Sequence, residues 1–118
     1  MDEEATQDLF AALGKVRTRR MFGGLGIYAG ETMFAIAVGG EIFLKADAET
    51  ARRFEAAGSR IFTYRRDGRT ATMNYWRLPD DGLDDPDRAA AWGRLALEVA
   101  RQARSMPSKR RKAAVEAA

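Results

Sequence analysis

The stretch MFGGLGIYAGETMFAIAVGGEIFLKAD, residues 21–47, admits two readings that lead to different folds. Within it, Gly24-x-Gly26-x-x-Ala29 matches the G-x-G-x-x-G/A spacing of a dinucleotide cradle. That cradle requires the glycines to end a strand and open a helix, whose N-terminus then meets the pyrophosphate. After Gly30, however, the chain runs Glu-Thr-Met-Phe-Ala-Ile-Ala-Val, a strand-like segment closed by Gly39-Gly40. No helix is available for phosphates, and no Gly-Lys-Ser/Thr occurs anywhere in the chain, so the P-loop pattern is missing as well. The glycines read as architecture. Gly23 and Gly24 permit a bend or bulge on entering a sheet, and Gly26 permits close backbone packing. No cofactor is expected.

In the same stretch, GLGIYAG, ETMFAIAVGG and EIFLKAD are short, aromatic or β-branched runs separated by glycine turns. MFAIAV is apolar at both alternating sets of positions, which marks a central strand covered on both sides. Ahead of these runs, Ala5, Leu9, Phe10 and Leu13 form the apolar stripe of a helix over residues 3–13, closed by Gly14. Beyond them, Asp47 is placed to cap a helix whose inner face is Ala51, Phe54 and Ala57, ended by Gly58. RIFTYRRDGRTATMNYWRL then supplies two strands joined by a type I′ turn at Asp67-Gly68. A last helix starts at Asp85-Pro86. It repeats Trp92, Leu95, Ala96, Val99, Ala103 and Met106 at spacings of three and four, and Pro107 stops it. The expected fold is α+β and two-layered, with helices on a mostly antiparallel five-stranded sheet in the order αβββαββα.

Composition narrows the chemistry. The chain has 118 residues, with 46% apolar and 31% charged side chains, the proportions of one globular domain. No run approaches the length of a membrane span, and the acidic start MDEEATQD is the reverse of a secretory signal, so a cytoplasmic address is expected. Cysteine and histidine are both absent, which removes thiolate nucleophiles, imidazole bases and imidazole metal ligands. The acids Asp80, Asp81, Asp84, Asp85 and Asp87 do not follow calcium-loop spacing and read as helix caps and solvated charge. No catalytic or metal-binding set is expected.

The net charge of +3 is uneven. Residues 1–98 hold 14 basic against 16 acidic side chains, whereas residues 99–118 hold six basic against one acidic. The expected organisation is a domain over 1–106 and a basic, flexible tail over 107–118. Two basic groups stand out as contact candidates: Arg17, Arg19 and Arg20 ahead of the first glycine-bounded strand, and Lys109, Arg110, Arg111 and Lys112 in the tail. Aromatic residues punctuate the strands, and core packing accounts for most of them without a nucleic-acid stacking platform.

Taken in order, RRMFGGLGIYAGETMFAIAVGGEIFLKAD, FTYRRDGRTATMNYWRLP and an acid-led helix with Trp92 resemble the N-terminal domain of the TfoX/Sxy competence regulators. The elements that carry the likeness are Met21, Phe22, Gly23 and Gly24, then Phe34 and Lys45, then Phe62 and Tyr64, then Tyr75 and Pro79. All read as determinants of the fold. The resemblance implies a secretion-chaperone-like α+β domain and a role in transcriptional regulation of DNA uptake. It implies as protein partner a transcription regulator such as the cyclic-AMP receptor protein. Apart from the resemblance, a monomer or homodimer is expected, with no membrane association. The expectation is thus a stand-alone, non-enzymatic interaction domain. The alternative is a nucleic-acid-binding module that contacts DNA phosphates through the basic tail.

Overall fold

Each glycine-bounded apolar run becomes a strand. The structure, a computed structural model, describes residues 3–21 and 23–105. Six strands, β1 (Arg17–Met21), β2 (Gly24–Ala29), β3 (Thr32–Val38), β4 (Glu41–Lys45), β5 (Ile61–Arg66) and β6 (Arg69–Arg77), form one sheet in the order β1-β2-β3-β4-β6-β5. Every pairing is antiparallel. The candidate phosphate loop is strand β2 itself, paired on both sides, which disposes of the cradle. The reason for its glycines is visible at Gly24, where an added Cβ would run into the carbonyl oxygen of Ala37 on β3.

The α+β layering matches the expectation, and the strand count does not: the described residues form six strands rather than five. The additional one is β1, Arg-Thr-Arg-Arg-Met, which reads as a basic patch because no large apolar residue occupies its first four positions. It is an edge strand, exposed along one side, and arginines on such an edge discourage pairing with foreign strands. Its place is set by register, with Arg17 opposite Tyr28 and Met21 opposite Gly24, rather than by apolar alternation.

Three helices lie against one face: α1 (Glu3–Leu9), α2 (Ala48–Ala56) and α3 (Pro86–Ser105). The expected first helix is shorter, because the chain passes through a 3-10 turn at Ala11–Leu13 before Gly14. Asp47 caps α2 as expected, and Thr50 completes a capping box by accepting the Asp47 N–H at 2.9 Å. Asp85 accepts the backbone N–H groups of Asp87 and Arg88 at the start of α3. Among the described residues no helix is long and apolar enough to cross a membrane.

The main core lies between this face and the helices. Phe10 meets Phe34 edge-on at 5.5 Å between ring centroids, and Ile27, Leu44, Leu78, Ala96 and Ala100 close around them. Phe34 reaches this side because the β2–β3 register shifts at Ile27/Tyr28, so Phe34 and Ala35 both enter the helical layer. Phe54 secures α2 between Trp76 of β6 and Trp92 of α3.

Candidate interaction face

MFAIAV is indeed apolar on both sides, but among the described residues no helix lies over the second side. Ile36, Phe43 and Tyr75 form a separate buried cluster on the opposite face of the sheet, flanked by Met33, Val38 and Phe62. Every one of these residues belongs to a strand, so among the described residues this face covers itself with its own side chains. Phe62 reaches past β6 to meet Phe43 edge-on at 4.9 Å, and Tyr64 lies nearly parallel to Phe62. Met21 and Met33 close over the space that a side chain at Gly26 would occupy. At one end the face is hollowed, with about 190 Å³ lined by Val38, Glu41, Phe43, Arg60, Ile61, Phe62 and Thr63.

Alternation places Arg17, Arg19 and Met21 on this open side of β1, because their partners Tyr28, Gly26 and Gly24 lie there. Arg17 sits 5.4 Å from the centre of the Tyr28 ring, donates to the Gly30 carbonyl at 3.0 Å, and has Glu31 3.5 Å away. In mid-sheet, Lys45 of β4 stands opposite Tyr75, its ammonium 5.4 Å from that ring. Lys45 is half-buried, and burial lowers its pKa from the ordinary lysine value. No carboxylate of the described residues lies within ion-pair distance of it. Burial likewise raises the Tyr75 phenol, with Tyr28 adding to the effect.

The acid on this face is already engaged. Glu41 accepts from Arg60 at 2.5 Å and from Arg77 at 3.0 Å. Its carboxyl is held below the usual range, most of all by the Arg60 hydrogen bond. Arg77 also donates to Asp80 at 2.9 Å. Among the described residues the balance is an apolar floor with free positive charge at Arg19 and Lys45, an exposed Glu31 beside Arg17 at one edge, and the doubly paired Glu41 near an end.

A family model of the TfoX N-terminal domain matches residues 8–100, which spans the sheet, α2 and most of α3. The chain belongs to that family. Protein Sxy of Escherichia coli strain K12 is 26% identical over 100 residues, covering 85% of this chain and 48% of Sxy. The DNA transformation protein TfoX1 of Aliivibrio fischeri is 31% identical over 78 residues, covering 66% of this chain and 37% of that protein. The chain therefore spans less than half the length of these curated relatives.

Several of the residues that carry the TfoX likeness fall on the open face. Met21, Lys45, Phe62, Tyr64 and Tyr75 share it, and Gly24 lies beneath its β2 edge. Phe34 belongs to the helical core, Gly23 makes the β1–β2 turn with a φ of 77°, and Pro79 is buried ahead of the 3-10 turn Asp80–Gly82. Phe22 and the tail residues Lys109, Arg110, Arg111 and Lys112 lie outside the described residues, as do Met106 and Pro107.

The sheet divides the arginine patch. Arg17 and Arg19 face the open side, whereas Arg20, paired with Leu25, points to the other. The aspartate cluster is also dispersed: Asp80 pairs with Arg77, Asp81 holds both Arg88 and the Trp92 indole N–H, and Asp85 caps α3. Tyr28, Met33 and the Glu41–Arg77 pair are features of the open face that residue-by-residue reading passes over. Their signal is the two-sided apolarity of MFAIAV.

Proposed function

We propose that this TfoX N-terminal domain acts as a protein-docking module that assists transcription of genes for DNA uptake, without catalysing a reaction. The observation that carries this reading is the open sheet face, an apolar floor with a half-buried cation that has no carboxylate partner within the described residues. Met33, Val38 and Phe62 are only partly covered around the buried cluster, and such a rim fits a surface that another protein covers. The competence setting is supported by the relative named a DNA transformation protein and by the shared family. The family resemblance makes a transcription regulator of the cyclic-AMP receptor protein kind the first partner to try.

The test uses purified residues 1–118 and purified cyclic-AMP receptor protein in biolayer interferometry, beside a reporter driven by a DNA-uptake promoter in a host lacking its own regulator. Binding that Lys45→Glu weakens, together with reporter activation, is the expected result. A silent reporter and no association at micromolar concentrations would refute it.

A further inference from the structure

The open face selects among occupants by charge and by the softness of its floor. We infer that it binds an acidic protein segment carrying apolar side chains, whose carboxylates pair with Lys45 and Arg19. This rests on the protein-docking reading above and adds the chemistry of the partner.

Charge complementarity is the first argument. Lys45 is half-buried among apolar neighbours with no carboxylate of the described residues in reach. Arg19 stands on the same face of the edge strand. Glu41 cannot serve either cation because Arg60 and Arg77 already hold it. A carboxylate brought in from outside would satisfy a charge that the described residues leave uncompensated, and a desolvated pair of this kind contributes more than a rim pair. A second copy of the chain fits poorly. Isologous pairing would bring two copies of one basic face together, with Glu31 and Glu41 already beside arginines of their own chain.

The floor is the second argument. Met21, Met33 and Val38 present flexible thioethers and an aliphatic group, a lining that adapts to apolar side chains. Single-stranded nucleic acid would need rings free to stack on bases. Phe43 and Tyr75 are each only 5% exposed, Phe62 is engaged by Phe43 and by Tyr64, which stacks on it at 6.1 Å, and Tyr28 is engaged by Arg17. The hollow beside Phe43 and Phe62, about 190 Å³, has an apolar wall at Val38, Phe43 and Phe62 and a polar one at Glu41 and Arg60, and it has room for one side chain of the segment, with the carboxylates disposed toward mid-sheet.

The test pans a phage-displayed random-peptide library against residues 1–118 and measures the selected peptides by fluorescence anisotropy. The expected peptides are net acidic and rich in leucine, phenylalanine or tryptophan. Their affinity should fall about tenfold or more with Lys45→Glu and with Arg19→Glu, and hold for Glu98→Lys on the solvent side of α3. Arg19 is exposed, so its variant keeps the fold even if Lys45→Glu does not.

The inference is overturned if no peptide is enriched, if the enriched peptides are neutral or basic, or if Arg19→Glu binds them unchanged. It is overturned equally by a poly-dT oligonucleotide whose binding depends on Lys45, or by a dimer in sedimentation that Arg19→Glu disperses. Acidic peptides bound at this face without any association with the cyclic-AMP receptor protein would keep the site and remove that partner. Association with that protein undiminished by Arg19→Glu and Lys45→Glu would do the reverse.

Discussion

Removing the Phe54 ring tests how the helical layer is held to the sheet. Phe54 is fully buried on α2, its centroid 4.8 Å from Trp92 at 28° between planes and 6.4 Å from Trp76 at 13°. Thr50 is the only other buried residue of that helix, so this one ring carries most of its attachment. Phe→Ala at a closed core site costs about 3–5 kcal/mol, and the two stacked pairs place it toward the upper end. Against a stability of roughly 5–15 kcal/mol, that is a large share of the whole. At about 4 °C per kcal/mol for a domain of this size, Tm should fall by about 12–20 °C. Circular dichroism melting and urea titration measure the loss. Tryptophan emission should shift to the red, since both indoles lose their partner. A loss below about 1 kcal/mol would refute the reasoning, because α2 would then be held by something other than the aromatic stack.

Three further outcomes concern the open face and its supports. Lys45→Met should stabilise the protein at pH 7, since burial disfavours the lysine charge; because the folded pKa is depressed, that gain should shrink as pH rises through it toward the ordinary lysine value of the unfolded chain. Urea titrations of both proteins at neutral and alkaline pH decide this, and a wild type more stable at pH 7 would contradict it. Glu41→Gln should flatten the acid limb of the stability curve: the lowered carboxyl contributes stability above its unfolded pKa and loses it as pH falls through the folded one. Thermal melts across the acid range read this directly. Gly24→Ala should cost about 1–3 kcal/mol, because the new methyl meets the Ala37 carbonyl, and chemical denaturation at unchanged m-value would show it.

Much of the fold was legible because its determinants are local. The Gly39-Gly40 and Asp67-Gly68 turns place both residues of each pair at positive φ, which is what the strands on either side demand of a two-residue link. Asp47 and Asp85 announce α2 and α3 through hydrogen bonds that span three residues or fewer. Strand β1 escaped for the opposite reason: Arg17–Met21 has no apolar alternation, and what makes it a strand is a register against Tyr28 and Gly24 that no local pattern encodes. The open face was half legible. MFAIAV announces two apolar sides, but which side the helices take depends on where β6 inserts beside β4, and that is a pairing across some thirty residues.

The placement of Lys45 connects these observations to function. In a domain optimised only for folding, a position half-buried between Phe43 and Tyr75 and lacking an acid among the described residues would favour a methionine or leucine. The sheet bears the charge at some cost, offset in part by the Tyr75 ring below it. The same sheet pairs Glu41 twice, although one of its two arginines would satisfy it. Among the described residues, charge is therefore distributed so that Glu41 is neutralised within the chain and the central lysine is not. Local cost without internal compensation is characteristic of binding surfaces, where stability is traded for an interaction completed by another molecule. If stability rises and peptide affinity falls in the same Lys45→Met variant, the lysine is there for the partner. If both are unchanged, the face is a solvated back of the sheet, and its charge carries no message.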